Sequence, residues 1–248
     1  MLRKICLLIV IGSLIQVHAQ VNEIGITGGL MYYIGDLNPT RHYPKGTKPA
    51  VGIVFRHNIN DRYAIRLQGL YGTLQASDSN SPDSLQQLRN LSFRSRLFEA
   101  AVLFEINFFK YRDKGKEGKF WTPFIFGGLA YFRADPQAQL GDTWIRLQPL
   151  GTEGQGTTVA DRDIYKIDQI AIPFGAGLKA NVGRFDFQLE WGLRRTWTDY
   201  IDDVSGKYVD NGLLEFENGP IAAIYADRSG LPQAGISNAG RARGDTNT

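Results

Sequence analysis

From residue 184 to residue 197 every second side chain is apolar (Phe185, Phe187, Leu189, Trp191, Leu193), while the positions between are polar or glycine (Arg184, Asp186, Gln188, Glu190, Gly192, Arg194). A helix would scatter the two sets around its axis. An extended strand, with its period of two, separates them onto opposite faces. The same rhythm recurs at residues 23–34 (Ile24, Ile26, Leu30, Tyr32 against Glu23, Gly25, Thr27, Gly29), 50–57 (Val51, Ile53, Phe55), 63–74 (Tyr63, Ile65, Leu67, Tyr71), 98–108 (Phe98, Val102, Phe104, Ile106, Phe108) and 169–180 (Ile170, Ile172, Phe174, Leu178). Residues 120–132 are apolar on both parities, which predicts a strand without assigning its faces. Seven strands are predicted, and the class is all-β.

The connections alternate in length. Residues 35–49, 75–97, 133–168 and 198–248 form long loops, whereas 58–62 and 181–183 are tight and 110–119 moderate. Short turns on one side and long loops on the other characterise antiparallel barrels of the outer membrane, and starting with a long loop puts the N-terminus in the periplasm. The polar parity is rich in glycine and alanine with isolated charges, as a narrow lumen requires: Glu23, Glu99, Glu105, Asp186 and Glu190 against Arg56, Arg66, Lys179, Arg184 and Arg194. Such a set can pair across the interior. Because eight strands enclose a side-chain-filled lumen, a plug is favoured over conduction. Aromatics near strand ends (Tyr32, Tyr33, Tyr63, Tyr71, Phe108, Trp121, Tyr131, Phe132, Trp197) suit interfacial girdles. The rival is a soluble exported sandwich or lipocalin-like barrel, in which the same apolar side chains would converge on a common core.

At the N-terminus, Arg3 and Lys4 precede an apolar run through Val17, and Val17-His18-Ala19 has the small-x-small pattern of a cleavage site. Residues 1–19 therefore read as a secretory signal, too short to span a bilayer as a helix, leaving 20–248 as the barrel domain. Cys6, the sole cysteine, precedes the cleavage site and would leave with the signal, so neither a disulfide nor a lipid anchor is expected. The net charge of +3, with no basic block, excludes a nucleic-acid footprint. Even-stranded closure demands an eighth strand. Residues 220–225 are too short to supply it, and 235–248 do not alternate. The C-terminal strand is thus expected to be missing, with an unpaired edge between the first and seventh strands.

Three loop stretches resemble one family: Tyr33-Ile34-Gly35-Asp36-Leu37-Asn38-Pro39, the stretch 147–156 with Gly151, Glu153 and Gly154, and the stretch 198–205 with Asp199, Tyr200, Asp202 and Asp203. With Asn90-Leu91-Ser92-Phe93-Arg94 and the stretch 122–128, they resemble the PorG-like outer-membrane proteins of the type IX secretion system across the whole mature chain. The resemblance implies an eight-stranded OmpA-like barrel that works with periplasmic ring components and the translocon rather than catalysing a reaction. It also implies a last strand after Arg243-Gly244-Asp245, which is absent. The cysteine that some members carry, suited to a covalent link to a ring subunit, is absent from the mature chain.

The chemistry-bearing residues are few. His42 and His57 have no serine near them in sequence, which disfavours a lipase- or protease-like triad. His and Cys are too few for a metal site. Asp199, Asp202 and Asp203 have the chemistry of calcium ligands, but aspartates also organise turns, and loop organisation with Ser205 is the favoured reading. Glu153 between Gly151 and Gly154 lacks the lysine and helix of a phosphate cradle. Arg243-Gly244-Asp245 matches an adhesion tripeptide, but three residues in what reads as a flexible tail usually match by chance. Loop aromatics Trp144, Trp197, Tyr200 and Tyr208 are candidates for contact with another protein. The expectation is a non-enzymatic envelope component with no cofactor, metal, nucleic acid or small-molecule substrate. Its expected sites are a lumen network of Arg66, Glu99, Glu105, Lys179, Glu190 and Arg194 and the loop motifs above. A passive envelope-stabilising barrel and a lipid-acting barrel enzyme are the alternatives.

Overall fold

The computed structural model describes residues 5–15, 22–39, 42, 45–111, 120–158, 160, 162–182 and 185–244. Among these residues nine antiparallel strands form one sheet: β1 Ile5–Ile15, β2 Asn22–Tyr32, β3 Lys48–Asn58, β4 Tyr63–Ser77, β5 Ser92–Asn107, β6 Trp121–Leu140, β7 Thr143–Arg146, β8 Asp168–Val182 and β9 Phe185–Thr196. Eight of them pair with their neighbours around a closed ring, β5 with β6 and β9 with β1, while β7 is a short hairpin partner at the far end of β6. Three helices, α1 Ser84–Arg89, α2 Asn211–Asn218 and α3 Pro220–Ala226, lie at the loop end.

All seven expected strands are present, and the expected open edge is not. Residues Ile5–Ile15, the segment read as a signal, lie in register between β2 and β9 and close the ring. The physical reason is composition: the segment is long enough to pair along its whole length, is rich in β-branched residues and contains no charge. In register, Val10 stands between Gly29 and Glu190, and Cys6 opposite Arg194. It thus brings no charged partner to the rows where β9 carries charge. No described strand follows Thr196, and residues 220–226, too short for a membrane strand, are helix α3.

The barrel is inside out relative to a soluble protein. Ile24, Ile26, Val51, Ile53, Leu67, Phe98, Val102, Leu129, Phe187 and Leu189 point outward and are exposed, with Ile26 at 66%. Glu23, Arg56, Arg66, Glu99, Glu105, Lys179, Asp186 and Glu190 point inward and are buried, with Glu105 at 0%. A belt of that kind is tolerated only where lipid covers it, which removes the soluble alternative. Tyr63, Tyr71, Phe108, Trp121, Tyr131 and Trp197 are exposed as girdle residues would be. Tyr33 and Phe132 are buried instead, because their parity carries them into the interior and the loop core, whereas Tyr32, on the outward parity of β2, is buried at the strand's end, where its hydroxyl bonds His42.

The strand left without faces, β6, turns its phenylalanines in. Phe124, Phe126 and Phe132 fill the lumen, and Ile125, Leu129 and Tyr131 face out. Glycines in β8 make the room. A Cβ on Gly177 would sit 2.6 Å from Phe124 Cε1, and one on Gly175 2.7 Å from Phe126 Cζ. The apolar cluster continues through Met31, Leu70, Leu74, Leu97 and Leu103 into loop residues Leu37, Leu91, Leu147, Ile201 and Val204. Lumen and loops thus share one core. Strands β4, β5 and β6, at 15, 16 and 20 residues, exceed the 9–11 or so that tilted strands need to cross hydrocarbon. They run past the expected starts of loops 75–97 and 133–168 and carry the loops as a raised, folded cap.

Candidate functional site

Two buried polar assemblies stand out, one in the lumen and one in the loop cap. In the lumen, Glu105 on β5 receives three cations: Arg56 Nε at 2.8 Å, Arg66 at 3.0 Å and Lys179 Nζ at 2.5 Å. Arg56 also reaches Glu23 at 2.6 Å and hydrogen-bonds Gln188, and Arg66 reaches Glu190 at 2.6 Å. Three acids thus meet three bases, a neutral set. Arg66 and Lys179 further lie over the rings of Phe126 and Phe124, at 4.8 and 4.4 Å, where the negative ring face attracts a cation.

Separately, Arg194 makes a two-pronged contact with Glu99, both bonds 3.0 Å. The six residues expected as one network therefore fall into two groups. Strand parity placed all of them inside but could not give their heights around a sheared barrel. Near the turn end, Asp186 accepts from Tyr111 and Asn181, a partnership that sequence reasoning missed. Arg184 lies outside the described residues.

An open pore leaves its lining wet. Here Arg66, Leu70, Leu103, Glu105 and Phe124 are all 2% exposed or less. The interior is a plug.

The loop cap brings together the three motifs that carried the resemblance. Tyr33, following β2, donates to Asp202 at 2.5 Å. Asn38 turns back to the Tyr33 carbonyl, and Asp36 offers its own carbonyl to Gln86 and Arg89. Pro39 is exposed and sits at the edge. Gly151 and Gly154 both have left-handed φ angles, +56° and +80°, and so fold the 151–156 turn that presents Glu153 inward. Glu153 accepts the backbone N–H groups of Ser205 and Gly206, the hydroxyl of Tyr200 and the guanidinium of Arg243.

Asp203, itself at φ +65°, accepts from Thr152 at 2.5 Å and Tyr165 at 2.6 Å. Burial raises its pKa to about 6, although Arg243 opposes the shift. Burial and the nearby Asp203 carboxylate likewise push the Tyr165 hydroxyl up. Tyr200 stacks on Tyr165, their rings 4.7 Å apart and nearly parallel.

Arg243 ties these pieces together. Its side chain donates to Glu153, to the Asp203 carbonyl at 2.6 Å and to the Ala226 carbonyl at 2.9 Å, and Arg89 grips its backbone carbonyl. Arg243 of the tripeptide is interior, because two buried carboxylates need a cation, which agrees with a chance match, and Asp245 lies outside the described residues. The expected flexible tail is instead fastened at Asn238 and Arg243, both buried, while residues 233–237 stay exposed.

Other candidates resolve as follows. His42 bonds the Tyr32 hydroxyl and His57 the Asn22 side chain, each at 2.8 Å. The Asp199, Asp202 and Asp203 stretch is drawn into the cap, where the Asp202 and Asp203 carboxylates meet Tyr33, Thr152 and Tyr165. Among the described residues no group of three His, Cys, Asp or Glu side chains has the arrangement of a metal site. Tyr208 is buried, and Trp144 lies under the Arg94 guanidinium at 3.6 Å. Trp197 remains exposed.

An inward-charged, outward-apolar, closed antiparallel ring defines a membrane-embedded β-barrel of the outer-membrane type, and so an envelope protein. The chain belongs to the family described as Domain of unknown function (DUF6089), whose model matches residues 2–222. No curated protein matches it. Among solved structures it is similar to the N-terminal β-barrel domain of Pseudomonas aeruginosa OprF, at 10% identity over 79% of this chain and 98% of that one, with a TM-score of 0.28. It is also similar to the attachment invasion locus protein Ail of Yersinia pestis, solved with the heparin analogue sucrose octasulfate, at 8% identity over 77% and 96% of the two chains, with a TM-score of 0.28.

Proposed function

We propose that this chain is a structural and docking component of a protein-secretion apparatus in the outer membrane, of the PorG-like kind that serves type IX secretion. Its N-terminus would be periplasmic, and its partners would be periplasmic ring and translocon proteins. The observation that carries the reading is the contrast between lumen and cap. The interior is filled, and its central cluster pairs three acids with three bases, which is unsuited to transport, whereas the elaborated part of the molecule is a hydrogen-bonded cap. That cap is built from the loop motifs in which the resemblance resides. Catalysis is not part of this proposal: His42 bonds the Tyr32 hydroxyl and His57 the Asn22 side chain, and among the described residues neither bonds a serine, threonine or cysteine.

Residues 1–19 are proposed to be an export signal removed from the mature protein, a reading supported by the absence of charge or alternation in residues 5–15. The seam that β1 fills would then be taken by another strand, since two unpaired edges are not tolerated in hydrocarbon. N-terminal sequencing of the protein from outer membranes should begin at Gln20; retention of Ile5 would overturn this part.

The functional test is deletion of the gene, with secreted cargo measured in the medium and ring and translocon subunits measured in pull-downs of the tagged barrel. Loss of export together with co-purification supports the role. Normal export with a weakened envelope would leave the passive, OmpA-like stabilising barrel.

A further inference from the structure

The helical pair α2–α3 leaves large apolar side chains in solvent at a place where lipid does not explain them. Phe216 is 88% exposed, and Leu213, Ile221 and Ile224 are exposed as well. These residues stand on the loop cap, not on the outward parity of a membrane strand. The helices themselves are firmly seated. Leu214 is fully buried against Ala222 and Ala226, Asn218 donates to the Leu150 carbonyl at 2.9 Å, and Asp210 caps α2 through the Leu213 N–H. Tyr225 reaches the Ala138 carbonyl at the end of β6. A fixed helix that presents a bare phenylalanine has already met the ordering cost that binding normally incurs.

Charge identifies what fits there. Residues 208–227 contain no lysine or arginine, and the exposed charges there are all acidic: Asp210, Glu215 and Glu217, the last also accepting from Thr158, while Asp227 is buried. Glu215 and Glu217 flank Phe216, so sinking the ring into a bilayer would drag carboxylates out of water. Two copies meeting face to face would oppose acid with acid. A partner whose apolar side chains are bordered by lysine or arginine suffers neither penalty.

We propose that the exposed face of α2–α3, centred on Phe216 and Leu213, docks a protein segment bearing apolar residues flanked by basic ones. This surface stands on the geometry of the cap alone and does not depend on the secretion reading. A protein that plays no part in export would still show it.

The test uses the full chain in phosphatidylcholine nanodiscs and a fluorescent 18-residue amphipathic Leu/Lys peptide, with a Leu/Glu peptide as counterpart and empty discs as background. Saturable binding of the Leu/Lys peptide is expected, weakened at least tenfold by Phe216→Ser with Leu213→Ser and by Glu215→Lys with Glu217→Lys. Heat-modifiable migration on gels verifies that each variant is a folded barrel. Equal binding of both peptides, or variants that bind like the original, would overturn the proposal. So would Phe216-dependent dimers in sedimentation, which would make the face a self-contact. Phe216-dependent adhesion to phosphatidylglycerol vesicles would assign it to lipid and equally overturn the proposal.

Discussion

Neutralising Glu105 tests the lumen plug directly. Its carboxylate is buried among Arg56, Arg66 and Lys179, and the set balances only because Glu23, Glu105 and Glu190 match those three cations. Glu105→Gln keeps the shape and removes the charge, leaving one uncompensated buried cation. Removing one partner of a buried pair costs about 3–5 kcal/mol. Three contacts are lost together here, which places the expected loss at the upper end.

Adding Lys179→Met to Glu105→Gln restores the balance and keeps an apolar stem over Phe124, so the double variant should recover at least ~1.5 kcal/mol relative to Glu105→Gln. Urea unfolding in phosphatidylcholine bilayers, read by the gel shift between folded and unfolded barrel, measures both. A Glu105→Gln variant within ~0.5 kcal/mol of the original, or a double variant no more stable than the single, would refute the balanced plug.

The cap and the lumen glycines carry three further expectations. Arg243→Ala leaves Glu153 and Asp203 without their shared cation, an expected local loss of about 3–5 kcal/mol; limited proteolysis should nick the cap rapidly while the barrel stays heat-modifiable. Asp203 ionises at 3.8 when exposed and at about 6 when folded. Its contribution to the cap is therefore greatest below pH 3.8 and is lost as the pH rises to 6, by about 3 kcal/mol; hydrogen exchange across residues 198–206, corrected for intrinsic rates, should be slower at pH 4.5 than at pH 7, and Asp203→Asn should flatten that slope. Gly177→Ala puts a methyl against Phe124 and should destabilise by about 1–3 kcal/mol, whereas Gly127→Ala, whose Cβ meets nothing closer than the Pro173 carbonyl at 3.9 Å, should be tolerated in the same unfolding assay.

The barrel was legible because its physics is local. Alternation along residues 184–197 or 63–74 assigns inside and outside without knowledge of any neighbour, and the lumen charges follow from parity alone. β6 resisted because Phe124 and Phe126 are as apolar as Ile125. Their inward turn is decided by glycines on β8, some fifty residues away in sequence. Ile5–Ile15 shows the opposite failure: one stretch suits both an export signal and a strand, since both want short apolar runs.

In the loop cap, composition pointed to Glu153, Asp202 and Asp203 only through resemblance, and it missed their partners. Nothing distinguishes Arg243 from any surface arginine until the fold brings it beside carboxylates 40 and 90 residues away. Asp78, which pairs with Arg89 at 2.7 Å and caps the Leu91 N–H, was hidden for the same reason.

Because Arg243 fastens the turn around Glu153, the stretch around Asp203 and the end of α3 at a single point, the outer segments of this protein cannot drift piecemeal. Loops are ordinarily where change is cheapest, yet a substitution in any of these three is felt by the other two. Tolerated variation should therefore concentrate on the stretch that the arginine leaves alone, such as residues 230–237, and graft sites for reporter epitopes lie there as well.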